Sequence, residues 1–312
     1  MDPLVLSSGT TTPLTSTAQS LKSSSRPSTP AAEQDILFSR PPSPTRATLD
    51  EYVLVVGGLG YIGSHTTWKL LKDGSNVVVI DNLSNAFVNV LDTLNDMTDQ
   101  RFSMSRCHPE LQFYEADFRD DTKIQEILSR YSSPSGSQTK RVIHFAAYKS
   151  VSQSIEQPLK YYDNNVGGLI RLCNTLSNFN IKNLIFSSSA TVYGSLADAG
   201  GRLVEESCAH TTTEWRDASG QEGQGFQTFN IGTGTGQTVY EVVEAMETAS
   251  GRDIPVVKVG HRQGDVGVCV ADPGRALTQL GWKPQKSLLD SCQDLCRFLE
   301  ANGTKIQPQQ TD

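Results

Sequence analysis

Gly57, Gly60 and Gly63 recur at intervals of three in the run Gly-Gly-Leu-Gly-Tyr-Ile-Gly. Glycines at this spacing permit a tight turn and close backbone approach to a pyrophosphate. A helix opening at such a turn adds unpaired N–H groups and a positive dipole end. The run follows the apolar stretch Tyr-Val-Leu-Val-Val (52–56) and precedes a stretch of helical character, Tyr61 to Asp73. Asp81 stands 18 residues beyond Gly63, at the end of a second apolar run, 76–80. A carboxylate there accepts from both hydroxyls of a ribose and repels a 2′-phosphate, which favours NAD over NADP. The competing reading is a glycine-rich structural turn followed by an ordinary loop aspartate.

Three further residues sit where an α/β sheet binds ligands, at or just past strand ends. Asp117 closes a third apolar stretch, in Glu-Ala-Asp-Phe, and either meets an adenine edge or is a plain strand-end acid. Lys149 follows a fourth strand, in Phe-Ala-Ala-Tyr-Lys, and either faces a ligand or is a solvated loop lysine. His144 lies inside that fourth strand, where a packed core histidine is the stronger reading.

The elements that must position these residues alternate. Strands are expected at 52–56, 76–80, 111–115, 141–145 and 183–187, with helices at 61–73, 122–131 and 158–179 between them. Pro158 opens the last of these as one long helix. Strand–helix alternation implies a doubly wound parallel α/β sheet of Rossmann type with right-handed crossovers. The regular pattern stops after Ser189. Residues 195–225 carry no convincing element, and a structureless stretch of that length is unusual inside a compact domain. Structure is expected to resume with a strand at 228–231, a helix from Thr238 to Ser250, a strand at 254–259, and helices near 273–280 and 287–301. Thr238 and Glu241 have capping-box spacing.

This divides the 312 residues into a tail (1–50), a dinucleotide-binding domain (51–194), an irregular junction (195–225) and a smaller C-terminal α/β segment (226–306). The tail holds ten Ser, eight Thr and seven Pro in fifty positions, too little apolar surface to offset ordering entropy, so disorder is expected. It balances four basic residues against four acidic ones, so the net charge of −7 belongs to the body. An acidic body argues against nonspecific nucleic-acid or anionic-membrane binding. No apolar run approaches the roughly 20 residues of a membrane span, and the N-terminus lacks the basic start and apolar core of a secretory signal. The six Cys (107, 173, 208, 269, 292, 296) form neither a C-x-x-C pair nor a metal-ligand spacing with the five His. Buried thiols in a reduced, cytoplasmic setting are expected, with Cys292 and Cys296 on one helical face.

Five motifs in order resemble the UDP-glucose 4-epimerases, which are extended short-chain dehydrogenase/reductases: residues 57–65, 81–85, 144–149, 161–166 and 187–194. Phe-Asn-Ile-Gly-Thr-Gly (229–234), Arg-Gln-Gly-Asp (262–265) and the Trp282-Lys-Pro segment are similar to the nucleotide-sugar part of that family. The resemblance implies NAD as cofactor, a UDP-glucose or UDP-galactose substrate and a place in galactose metabolism. It implies that hydride leaves sugar C4 for the cofactor and returns to the other face. Residues implied at the cofactor are Gly57, Gly60, Tyr61, Ile62, Gly63, Asp81, Asn82, Asp117, Phe118, Phe145, Ala146, Lys149 and Asn165. Ser189 would hydrogen-bond the sugar 4-hydroxyl. Arg262 would clamp the phosphates and Asp265 the uridine ribose, unless those two form only a surface ion pair. A homodimer is one arrangement the family implies.

One component of the family pattern is missing. Its base is the tyrosine of a Tyr-x-x-x-Lys pair, whose spacing puts both groups on one helical face and lets the lysine lower the tyrosine's pKa. Four residues beyond the nine Tyr of this chain stand Val56, His65, Phe118, Ser135, Ser152, Asn165, Val166, Ala197 and Glu244. None is lysine. The pattern breaks after Cys208 and rejoins near Phe226, so an internal deletion is expected to have removed a sixth strand and the catalytic helix, which relatives also use for dimer contacts. Catalytic activity of this chain is therefore in question. A protein that binds NAD or a UDP-sugar without epimerising it is the other reading.

Overall fold

The computed structural model describes residues 4–7, 51–105, 108–133, 136–199, 203–205, 227–260 and 267–301. It forms two compact units, one of residues 15–187 and one of residues 1–14 with 188–312.

The strands in chain order are β1 (Leu4–Ser7), β2 (Tyr52–Val56), β3 (Asn76–Asp81), β4 (Leu111–Glu115), β5 (Ser132–Ser133), β6 (Gly136–Ser137), β7 (Thr139–His144), β8 (Asn183–Phe186) and β9 (Val256–Val259). The α-helices are α1 (Tyr61–Lys72), α2 (Asn89–Phe102), α3 (Asp121–Arg130), α4 (Val151–Glu156), α5 (Pro158–Tyr161), α6 (Gly168–Asn178), α7 (Val239–Ser250), α8 (Gly274–Leu280) and α9 (Leu288–Ala301).

In the larger unit β4-β3-β2-β7-β8 form one sheet, every pair parallel. The chain works outward from β2 in one direction, then crosses back to β7. The switch point between β2 and β7 is where such sheets bind ligands. β2 and β3 are continuous Val, Leu and Ile runs, as strands covered on both faces must be. Their alternate residues feed two cores. Leu54, Val56, Val78 and Ile80 meet Ile124, Leu128, Leu172 and Leu176 on one side. Val53, Val55, Val77 and Val79 meet Leu59, Leu71 and Leu94 on the other. Each such side chain contributes about 1.5–3 kcal/mol by leaving water.

β8 breaks this pattern. Ile185 is 61% exposed and Phe186 42%, on a strand that in a doubly wound sheet should be covered. No strand follows β8 on that edge among the described residues. Among the described residues this is the physical mark of a parallel sheet that stops one strand short, in keeping with the end of regular strand–helix alternation after Ser189.

His144 occupies the end of β7, fully buried, its ring 4.8 Å from Phe118 and 5.6 Å from Phe186, and its Nδ1 has no hydrogen-bond partner among the described residues. It is a core histidine. Burial pushes its imidazole down to about 4.

The expected single helix over 158–179 is three pieces. α5 has Pro158 in its first turn, a π-helical turn runs Tyr162–Gly167, and α6 completes the span. Inserted residues of this kind concentrate at functional sites.

In the smaller unit α7 begins at Thr238 with the expected capping box. The Glu241 N–H donates to Thr238 Oγ1, and the Thr238 N–H donates to Glu241 Oε2. Gly251 closes α7 at φ +66°. α9 packs against α7 with Cys292 and Cys296 buried on one face. Cys173 and Cys269 are exposed, contrary to the expectation of buried thiols, while Cys107 and Cys208 lie outside the described residues.

Two other expectations differ. Residues 228–231 are not a strand, because the Asn230 N–H that a ladder would need donates to Glu205 Oε1 at 2.7 Å. The Asn230 side chain in turn bonds the Leu203 carbonyl and accepts from Tyr193. Within the tail, Leu4–Ser7 form a strand in parallel register with Val256–Val259. The part of the junction that is described contains 3₁₀ turns over Ala190–Ala199 and an isolated bridge between Leu203 and Ala271. No helix among the described residues is long and apolar enough to cross a membrane.

Candidate functional site

The three glycines play different parts. Gly57 has φ +77°, and a Cβ there would meet the Ala146 backbone N at 2.8 Å. It is fixed by the turn and by the closeness of the segment after β7. A Cβ on Gly63 would overlap the Gly57 carbonyl, so Gly63 lets α1 seat against the turn. Gly60 differs: the nearest atom to its Cβ is 3.5 Å away, ordinary contact, and its φ of −67° suits any residue. Nothing among the described residues requires a glycine at 60.

Gly60 is also the N-cap of α1, with no side chain capping the helix and no acid in its first turn. The terminal N–H groups of such a helix look for an anion. Tyr61 and Ile62, the next two residues, are 72% and 57% exposed. A bare, exposed helix start that opens on a glycine fits a pyrophosphate.

Asp81 closes β3 almost fully buried. Its Oδ2 accepts the Leu59 N–H of the glycine turn at 3.1 Å, and its Oδ1 accepts the Leu83 N–H at 3.0 Å. The second bond supports Leu83 in the left-handed region at φ +56°. A carboxylate has roughly four acceptor positions, so two remain for ribose hydroxyls. Asn82 accepts from the Ser84 N–H and reaches Asp117 at 3.5 Å.

Asp117 is more heavily engaged than expected. Arg119 donates to it from Nε, Nη2 and its backbone N–H, at 2.7–3.2 Å. That fork holds the carboxyl below the usual carboxylate range. With Asn82 added, the acceptor positions of Asp117 are filled, which favours an architectural role over direct adenine contact. Phe118, beside it, is buried against His144.

Past β7, Phe145 and Ala146 are half-buried and Lys149 is exposed. Asn165, in the π-helical turn, holds this segment at both backbone groups of Tyr148. Its Oδ1 accepts the Tyr148 N–H and its Nδ2 donates to the Tyr148 carbonyl, each at 2.9 Å. Ser189 is exposed, and its Oγ accepts from the Thr191 hydroxyl at 2.9 Å. Arg262 and Asp265 lie outside the described residues.

Sequence reasoning passed over Arg119 and Asp163. Arg119 Nη1 donates to Asp163 Oδ2 at 2.8 Å, and Arg171 Nη2 donates to Asp163 Oδ1 at 3.0 Å. The Asp-Phe-Arg spacing at a strand exit hints at the Arg119–Asp117 pair. Nothing local announces the Arg119–Asp163 pair, which joins residues 44 positions apart.

Comparison with known proteins places this geometry. A family model described as GDP-mannose 4,6 dehydratase matches residues 54–213. The chain is 31% identical to UDP-glucose 4-epimerase of Mus musculus over 348 residues, covering 81% of this chain and 97% of the relative. It is 29% identical to that of Bacillus subtilis over 344 residues, covering 80% and 97%. The crystal structure of a UDP-glucose 4-epimerase from Stenotrophomonas maltophila with bound NAD and formylated UDP-arabinopyranose matches with TM-score 0.62 at 25% identity, covering 81% of this chain and 98% of that one. One from Bifidobacterium longum with NAD+ and UDP matches with TM-score 0.67 at 24% identity, covering 81% and 99%. The first two alignments are longer than the 312-residue chain itself. Since 80% of 312 is about 250, about 90 of the 344 positions in the alignment with the Bacillus protein have no residue of this chain opposite them.

Proposed function

This chain belongs to the UDP-glucose 4-epimerase family of extended short-chain dehydrogenase/reductases, and on that premise we propose that it binds NAD across the glycine turn but lacks the proton-transfer pair that epimerisation needs. The observation that carries the first half is Gly60, a glycine with no internal reason to be one, at the uncapped start of α1.

The cofactor's chemistry, when bound, is to accept and return a hydride. The chain's own residues bind and orient it. The α1 N–H groups would hold the pyrophosphate, and Asp81 the adenosine ribose. The Asn165-locked segment through Lys149 would line the other wall of the crevice. Ser189, its Oγ lone pairs engaged by Thr191, keeps its proton free to donate to a sugar hydroxyl. Arg262 and Asp265 would meet the UDP moiety.

The test is Gly60→Ala. Its Cβ fits the free protein, so thermal unfolding should stay within a degree or two. NAD affinity measured by calorimetry should fall by roughly tenfold or more, because the methyl occupies the space the pyrophosphate needs. Equal NAD affinity in parent and variant would refute the reading.

Selectivity provides a second prediction. The parent should prefer NAD to NADP by at least about tenfold, since a buried carboxylate faces a 2′-phosphate with like charge. Asp81→Asn should narrow that ratio. It should also destabilise the chain by about 1–3 kcal/mol, as the carboxylate supports two turns. Equal affinities for both nucleotides in the parent would sink the assignment of Asp81.

A further inference from the structure

We infer that Arg119 is a positioning residue for the dinucleotide, a strut that ties the wall of the crevice made by β4 to the wall made by the segment after β7. The inference rests on the reading that NAD occupies the glycine cradle. Asp117 follows β4 on one side of the switch point, and Tyr148–Lys149 follow β7 on the other. Arg119 joins them through the π-helical turn. Its Nε and Nη2 grip Asp117, and its Nη1 grips Asp163. Two residues beyond Asp163, Asn165 holds both backbone groups of Tyr148.

A lone surface ion pair would carry little weight, because such pairs contribute about 0–1 kcal/mol. Two features set this one apart. The guanidinium is planar and divides its donors between two carboxylates on different elements, a geometry lysine cannot reproduce. The helix is also pressed onto the same turn: a Cβ on Gly168 would lie 2.6 Å from the Phe118 ring and 2.9 Å from the Arg119 side chain. Gly168 therefore permits a close approach that the ion pair then fixes in register. The π-helical turn lets Asp163 reach Arg119 while Asn165 faces the Tyr148 segment.

The test titrates NAD and AMP into the parent, Asp163→Asn, Arg119→Lys and Arg119→Met, with thermal unfolding recorded for each. AMP reaches only the adenosine wall. Asp163→Asn leaves the grip on Asp117 intact, so NAD affinity should fall roughly fivefold while AMP affinity stays within about twofold. Arg119→Lys should reproduce that split, since one ammonium cannot serve both carboxylates. Arg119→Met releases Asp117 too and should weaken both ligands. A merely structural role would lower NAD and AMP by one common factor along with the melting temperature. Equal losses, or unchanged NAD affinity in Asp163→Asn, would overturn the strut while leaving the NAD reading in place. A parent that binds neither ligand would overturn both.

Discussion

Incubated with UDP-galactose and NAD, the purified chain is expected to form UDP-glucose at least about 100-fold more slowly than a full-length relative, the usual loss when one proton-transfer group is removed. The reaction needs a base within hydrogen-bond reach of the sugar 4-hydroxyl, tuned to hold a negative charge near neutrality. No tyrosine here has a lysine four residues on. Tyr148 and Lys149 are adjacent, so they cannot share a helical face. Ser189 is exposed and accepts from its neighbour Thr191; an unassisted serine hydroxyl is a poor base near pH 7.

Among the described residues two lysines do approach tyrosines in space. Lys160 Nζ lies 4.7 Å from the centre of the Tyr148 ring, and Lys258 lies 5.5 Å from that of Tyr240. The first stacks over a ring face, which stabilises the cation more than a phenolate. The second joins α7 to β9 in the smaller unit. Neither reproduces the helical pair. The exposed edge at β8 and the positions of the relatives that have no counterpart here point to the same loss. Turnover within about tenfold of a relative would overturn the expectation, and Tyr148→Phe would then be the first variant to make. Circular dichroism must show a folded chain, because Ile185 and Phe186 on an open strand edge invite aggregation.

What was legible in the sequence followed from strong local signals. β2, the glycine turn, α1, β3 and Asp81 are continuous, and their chemistry repeats at fixed intervals. The capping box at Thr238 was readable because both partners sit three residues apart. What was not legible depended on distant partners. The run 228–231 has strand composition, but Glu205 takes the N–H that a neighbour strand would have taken. The helix over 158–179 has one apolar period, but the pull between Arg119 and Asp163 accompanies an inserted turn that no spacing reveals. The sequence leaves Asp117 open between an adenine contact and a plain strand-end acid, and does not show that Arg119, two residues away, grips its carboxylate.

The second large effect is acid sensitivity centred on His144. Its imidazole is held near 4 by burial, against an ordinary value of 6.5 in the unfolded chain. Above pH 6.5 both states carry it neutral, and it contributes nothing to pH dependence. Between pH 6.5 and about 4 the unfolded chain takes up a proton that the folded chain refuses. Stability must therefore fall as pH falls, by up to about 3 kcal/mol for a shift of this size. The carboxylates with lowered values, Asp117 and Asp163 among them, act in a separate window. Their contribution is full above pH 3.8 and is lost only below it. Denaturant unfolding of the parent and of His144→Met at pH 7.5, 6.5, 5.5 and 4.5 separates the two. Methionine adapts to the space between Phe118 and Phe186 and removes the unpartnered Nδ1, so at pH 7.5 the variant should lie within about 1.5 kcal/mol of the parent. On acidification the parent should lose more stability than the variant, with the gap opening below pH 6.5 and levelling near 4. Parallel curves for the two proteins would show that the buried imidazole takes its proton without opening the core, and would end the argument.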